Sequence, residues 1–357
     1  MYGLDEWLSP ARVQKPAYSF PPVKIVIVIV VGAGIIGLSC AWALARAGRA
    51  VRIFDKSAAA GEASWAGAGM LAPGGEFDTD SELARMAIRS LALYPEFVTS
   101  LQEETGVSMD LRRCGALEVA LPGEEDALLR TATARAVLGL ESETAQWNGM
   151  PARFYPGDAL VDPRCVTRAL MIACRARGVQ VHENEPVTRI SSGGRTVESS
   201  KGRYEDEAVL IAAGAWSSDL YPGLPRAWPV RGHLVSYRLE PGFLNRIVRN
   251  NGTYVMQRSS GIVIAGSSKE DAGFDRSLDE AVIGNIIHRA EALVPELRGV
   301  TPHERWNGLR PAIAAEAPLI GRFEATNVFT AFGHYRNGIL LAPETARMIV
   351  ETIELPY

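Results

Sequence analysis

The sequence predicts an α/β fold in which a parallel-sheet nucleotide-binding domain, built from separated segments, receives an inserted, mostly antiparallel α+β domain. Three observations predict it. The β-branched run Ile25–Val31 meets Gly32-Ala33-Gly34 and then an apolar helical repeat, giving a strand, a tight turn and a helix in succession. Apolar runs of the buried, parallel-strand kind return in the middle of the chain and near its end. Strands of antiparallel type lie between them.

Taken in order, a strand over 24–31, a helix over 35–47 and a strand over 50–55 form a βαβ opening. The turn-rich stretch Gly61–Gly75 follows, then an amphipathic helix from Ser81 to Glu104 that Pro95 is expected to interrupt. Cys114–Leu121 reads as a strand. Asp162 caps a helix with Pro163 in its first position, running to about Arg177. Strands are expected at Val179–His182, Ala208–Ala212 and His233–Leu239. Tyr254–Gln257 and Ile262–Ala265 read as a hairpin around Arg258-Ser259-Ser260-Gly261. A helix over Leu278–Leu293 and a last one starting near Pro343 complete the chain.

Composition narrows the function. A chain of 357 residues, 47% hydrophobic and 22% charged, can bury a large core. Lys+Arg 37 against Asp+Glu 41 gives a net charge of -4 without a charge run, which argues against a nucleic-acid partner. Cys40, Cys114, Cys165 and Cys174 form no C-x-x-C pair, so free thiols in a reducing cytoplasm are expected rather than a metal or disulfide framework. The uncharged run Ile25–Ala45 is long enough for a bilayer, but its glycines break any single helix, so no membrane span is expected. Residues 1–22, with Asp5 and Glu6 and no apolar core, read as an extension rather than a signal peptide.

The chemistry-bearing signal is Gly32-x-Gly34-x-x-Gly37 between strand and helix. Gly32 permits the turn, Gly34 lets a pyrophosphate approach the backbone, and Gly37 lets helix and strand pack closely. The helix start at Ile35, Ile36 and Gly37 offers N–H groups and partial positive charge to phosphates. Asp55 closes the second strand, where a carboxylate accepts from ribose hydroxyls. NAD and FAD both satisfy this pattern. The small residues of Glu62–Pro73, which let the chain run against an extended cofactor, suit a flavin. The run Val209–Trp216, with Gly214, can cross close to the dinucleotide, although alone it is only a core strand. Phe332–Pro343 leads a strand through glycines into a helix whose N-terminus can stabilise a reduced flavin.

VVGAGIIGLSCAWALA (30–45), AGAGMLAP (66–73), WNGLRP (306–311) and GHYRNGILLAP (333–343) together resemble the glycine oxidase family, within the D-amino-acid oxidase group of FAD enzymes. The similarity spans roughly residues 24–350. It implies a discontinuous Rossmann-like FAD-binding domain at 23–110, 151–226 and 304–357. The inserted substrate domain is then 111–150 and 227–303. It also implies that Asp55 and Lys56 sit beside the adenosine ribose, and that Ala63, Ser64, Ala68, Gly69 and Met70 flank the pyrophosphate and flavin. Val187 corresponds to a backbone contact at the adenine end. His334, Tyr335, Arg336, Asn337, Gly338, Ile339 and Leu340 correspond to the loop over a non-covalent flavin.

On the substrate side the resemblance assigns Arg310 to the substrate carboxylate, which its planar fork can hold bidentately. Taken alone, an Arg at a strand end is more often solvated or salt-bridged. Tyr254 corresponds to a tyrosine on the same carboxylate, and Arg336 to a second arginine near flavin and substrate. Lys269 departs from the pattern, falling where an apolar pocket residue is expected. The expected reaction is FAD-dependent oxidation of glycine or another small amino acid to a 2-oxo acid, ammonia and hydrogen peroxide, with O2 as acceptor. No acid or base residue is expected to be required. The resemblance further implies a homo-oligomer and a role in thiamine biosynthesis. A flavin dehydrogenase for D-amino acids or secondary amines, a non-catalytic flavoprotein subunit and, least of all, an NAD enzyme remain as alternatives.

Overall fold

A computed structural model describes residues 27–354; the N-terminal extension and the first residues of the opening strand lie outside the described residues. Ile27–Val31 sits inside a six-stranded sheet whose order is 319–322, 328–332, 208–211, 27–31, 50–54, 180–182. Its pairings are parallel except at the 319–322 edge. Because successive side chains point to opposite faces, this strand serves two cores. Val28 and Val30 pack with the helices Ile35–Arg46, Glu82–Thr105, Pro163–Ala176 and Gly338–Glu354. Ile29 and Val31 pack with a small antiparallel sheet of 187–190, 196–199 and 203–205. Burial on both faces explains why the strand is apolar throughout.

The uncharged run from Ile25 is thereby split between a strand and a helix. Among the described residues no helix is long and apolar enough to cross a membrane.

The second sheet has eight strands, ordered 304–313, 227–238, 262–266, 253–257, 247–250, 116–119, 150–155, 143–147. All its pairings are antiparallel except 247–250 with 116–119. Helix Glu280–Leu293, capped by Asp279 through Ala281 N and Val282 N, covers one face. Sheet membership differs from the expected segments at two places. Met150–Tyr155 and Glu304–Ile313 pair into this second sheet, although 151–226 and 304–357 were assigned to the nucleotide-binding unit. The long 227–238/304–313 ladder is the physical reason, and the alternation of 304–313 was masked by Gly308 and Pro311.

Two prolines behave unlike the sequence expectation. Helix Glu82–Thr105 runs unbroken through Pro95, from the Ser81 cap to Gly106 in the left-handed region. The last helix begins at Gly338 rather than near Pro343, which lies inside it. A proline cannot donate to the carbonyl four residues back, here that of Ile339. Tyr94 Oη donates to that carbonyl instead. Ser90 Oγ donates to Leu340 O at 2.7 Å and accepts from Glu344 N at 3.2 Å, bridging the next rung. Ser90 and Tyr94, one helical turn apart, thus repair the opened ladder and lock the final helix against its neighbour.

Candidate active site

The carboxyl ends of the parallel strands face the eight-stranded sheet across a cavity of about 460 Å³. Crevices outside the carboxyl ends of parallel strands are where such folds bind ligands. Val31 leads into Gly32, whose φ is +107° and where a Cβ would lie 2.4 Å from Ala212 O. Both facts require glycine. Helix Ile35–Arg46 then points its N-terminus at the cavity, with no capping side chain on Gly34 and no acidic residue in its first turn. Ser64 Oγ accepts from Ile35 N at 2.9 Å. This is an open, positively polarised terminus next to side-chain-free backbone, the chemistry a pyrophosphate needs.

Gly37 is the one expected cofactor residue that does not line the cavity. A Cβ there would sit 1.9 Å from Gly32 O. Gly37 therefore lets the helix pack onto the turn, the role that the glycine spacing also gives it. Asp55 braces the same turn, accepting from Ala33 N at 2.7 Å and from Ser57 N at 2.9 Å. Lys56 Nζ pairs with Glu62 at 2.9 Å and lies 3.6 Å from the centre of the Trp216 ring. Burial and nearby Arg276 lower its pKa. Val187 and Gly214 line the cavity on the far side.

The small-residue stretch Ala63–Met70 also lines the cavity and is held by the second sheet. Trp306 Nε1 donates to Ala66 O at 3.0 Å and Arg258 Nη2 to Ala68 O at 3.2 Å. A Cβ on Gly69 would lie 1.9 Å from Val161 O. Opposite, residues His334–Leu340 form the loop and first turn of the last helix. Tyr335, at φ +49°, donates its N–H to Pro311 O at 2.9 Å, tying the loop to the Arg310 strand. His334 is buried with Nε2 3.0 Å from Thr345 Oγ1, and burial pushes its pKa down to about 3, so the ring is neutral.

Arg310 and Tyr254 meet in this cavity from strands 253–257 and 304–313. The Arg310 guanidinium donates to Ser267 Oγ at 3.0 Å and to Ser268 O at 3.1 Å, but among the described residues it has no carboxylate partner. Burial lowers its pKa, with Arg336 adding to the effect. Behind it stands a buried network. Glu270 accepts from Ser268 Oγ at 2.6 Å, binds Arg231 at 2.7 Å and lies 2.7 Å from His233 Nδ1. Asp279 N donates to His233 Nε2 at 3.2 Å, so the hydrogen sits on Nδ1 and the ring donates to Glu270. Burial raises the Tyr254 pKa and keeps its hydroxyl protonated as a donor. Arg336 lines the cavity too, but is half-exposed and paired with Glu76 at 3.0 Å.

Several residues that shape this site escaped the sequence reading. A Cβ on Gly232 would lie 2.1 Å from Arg310 Nη1, and one on Gly266 would lie 2.7 Å from the Tyr254 hydroxyl. A glycine inside a strand pattern is the available signal for such close approach. Ser267 and Glu76 carry no local signal. Lys269 does not enter the main cavity; it is exposed in an adjoining one, its Nζ 5.9 Å from the centre of the Tyr335 ring.

The family described as FAD dependent oxidoreductase matches residues 28–352. This chain belongs to that family. Curated relatives match over nearly the whole length: glycine oxidase of Geobacillus kaustophilus is 33% identical, over 92% of both chains. Glycine oxidase of Pseudomonas aeruginosa is 31% identical, covering 91% of this chain and 93% of that protein. The bifunctional protein ThiO/ThiG of Trichormus variabilis is 31% identical over 91% of this chain, which spans 52% of that longer protein. Among solved structures, the Geobacillus kaustophilus glycine oxidase superposes with a TM-score of 0.87 at 30% identity, over 92% of this chain and 95% of that one. The family settles the choice of dinucleotide that the glycine pattern left open: the cofactor is FAD. The cavity fits it, with a helix terminus that Ser64 satisfies only at Ile35 N, side-chain-free backbone at Gly32 and Gly34, and small residues at 66–69.

Proposed function

We propose that this flavoprotein oxidises glycine or another small amino acid, passing the electrons to O2. The observation that carries the reading is Arg310, a half-buried guanidinium that faces the cavity and, among the described residues, forms no ion pair with a carboxylate. A partly desolvated charge without an ion-pair partner is less favourable than one with a counter-charge beside it. A substrate carboxylate is that counter-charge, and the planar fork fixes the α-carbon's orientation. Tyr254 donates a further hydrogen bond to the same group. Ser267 and the Glu270–His233–Arg231 network hold the guanidinium in place.

Bound FAD supplies the hydride acceptor. The chain's own residues need only bind, orient and exclude water, since His334 is neutral and buried and, among the described residues, Arg310 has no ion-paired carboxylate. The α-carbon gives up a hydride, and water converts the resulting imine to a 2-oxo acid and ammonia. Asp55, Lys56, Ala63, Ser64, Ala68–Met70, Val187, Gly214 and His334–Leu340 are assigned to the cofactor. The absence of a cysteine from 332–343 supports a non-covalently held FAD. Four free thiols support a cytoplasmic setting, and the functional unit is a homo-oligomer.

The test is an amino-acid panel mixed with the holoenzyme without oxygen, followed by air. Glycine or N-methylglycine should bleach the flavin, and air should restore it with release of hydrogen peroxide. Bleaching without return in air points to a dehydrogenase. Absence of bleaching by any amine rejects the proposal.

A further inference from the structure

The small-residue wall of the main cavity is held from behind. Trp65 O accepts from Arg164 Nε at 3.2 Å, Ala66 O from Trp306 Nε1 at 3.0 Å, Ala68 O from Arg258 Nη2 at 3.2 Å and Gly69 O from Val161 N at 2.9 Å. None of these four donor residues lines the cavity, whereas Ala68 and Gly69 do. The peptide between Ala68 and Gly69 is trans, so its N–H points opposite to its C=O. With Ala68 O turned outward to Arg258, the Gly69 N–H is turned inward, towards the space that the cofactor takes.

Arg258 is the costly member of this set. It enters from the turn after strand 253–257 and is only 7% exposed. Its Nη1 pairs with Asp162 at 2.8 Å, while its Nε is buried without a partner. Burial lowers its pKa in spite of that carboxylate. Asp162 is shared, since its other oxygen caps helix Pro163–Ala176 by accepting from Arg164 N at 2.9 Å. A buried ion pair is weak evidence for a contribution to stability, and an unsatisfied Nε weakens it further. What distinguishes Arg258 is a charge-assisted bond to one carbonyl, on a peptide whose other side faces the cofactor space.

We propose that Arg258 is a positioning residue for the flavin: by holding and polarising the Ala68–Gly69 peptide it presents a strengthened N–H donor to the cofactor and raises the flavin's tendency to accept electrons. A guanidinium on the carbonyl polarises the whole amide, which makes its N–H a better donor. Reduction adds electron density to a flavin, so a fixed donor aimed at it favours the reduced form. Arg258 itself gains and loses no proton. The proposal rests on the assignment of Ala68–Met70 to the flavin and not on which amine is oxidised.

The test uses the FAD-loaded protein and no amine, so it stands whether or not glycine is oxidised. Two quantities are read: the flavin midpoint potential against a reference dye, and the affinity for sulfite, which bleaches an oxidised flavin more readily the more electron-poor it is. Asp162→Asn keeps a helix cap and leaves Arg258 on Ala68 O. Its sulfite affinity should stay at or above the parental one. Asp162→Asn combined with Arg258→Met removes the guanidinium without a change of net charge and without an unpaired buried carboxylate. That double variant should bind sulfite about tenfold more weakly, with a midpoint potential lower by roughly 30 mV, the two-electron equivalent of tenfold. Parental values in the double variant overturn the proposal, and so does an equal loss in Asp162→Asn alone. Arg258→Lys keeps the charge but not the planar fork that serves Asp162 and Ala68 O together. If it folds with parental potential and sulfite affinity, the proposal fails even where the double variant cannot be prepared.

Discussion

The two sides of the cavity were built by different means. On the cofactor side a continuous stretch, Val31–Gly37, supplies the turn, the helix terminus and the side-chain-free backbone, and Asp55, Ser64 and Ala212 only brace it. On the substrate side nothing is local. Arg310 rests on Ser267 and Ser268, in space left by Gly232, while Tyr254 needs the space left by Gly266. The cofactor side is a motif; the substrate side is a meeting of strands far apart in the chain. Substitutions on the first should therefore affect flavin content, and substitutions on the second should affect substrate use with the flavin in place.

The largest expected effect is at Gly32. Gly32→Ala forces a side chain into a φ of +107° and against Ala212 O at 2.4 Å. The purified variant should be colourless or fail to retain FAD, read by its visible spectrum. A yellow variant with ordinary activity would break the distinction between the two sides.

Next comes Arg310→Ala. Losing two charge-assisted hydrogen bonds, each roughly 1.5–3 kcal/mol, plus orientation should lower kcat/KM for the amino acid about a thousandfold. The flavin spectrum should be unchanged, and Arg310→Lys should restore only part. An amine without a carboxylate should be far less affected. Gly232→Ala sharpens the point, because its Cβ would displace the guanidinium without removing it. It should copy the substrate defect in weaker form, with FAD retained. Loss of FAD in either variant would show that the substrate side also holds the cofactor.

Tyr94→Phe probes the joint between the sides, where the last helix carries the flavin loop. It leaves the Ile339 carbonyl without its donor, which should lower stability by about 1–3 kcal/mol. Thermal melts should record the loss, and FAD should stabilise the variant less than the parent.

The smallest effect is a pH dependence at His334. Its pKa falls from 6.5 in the unfolded chain to about 3 when folded. The unfolded state thus binds more protons between those values. Stability is full above pH 6.5 and declines as pH falls towards 3. Between pH 6.5 and 5 this amounts to at most about 2 kcal/mol. Melting temperatures of parent and His334→Asn should show a shallower acid slope in the variant; parallel slopes would exclude the buried histidine as the cause.

Sequence alone determined the cofactor side in good measure, and the reason is locality. A strand buried on both faces must be apolar throughout, and a helix terminus offered to phosphate must follow glycines, so Ile27–Gly37 announces itself. The capped starts at Ser81 and Asp162 were legible on the same ground. Tertiary structure decided what depends on partners distant in sequence. Pro95 and Pro343 read as interruptions, yet one lies in an unbroken helix and the other is accommodated by Ser90 and Tyr94 of a neighbouring one. Strand 304–313 reveals itself through its ladder with 227–238, because its glycine and proline obscure its alternation. The vacant counter-charge at Arg310 and the outward turn of Lys269 belong to the same class. Whether a charged side chain is paired is a property of what folding brings within about 4 Å of it, and that is written in no single stretch of chain.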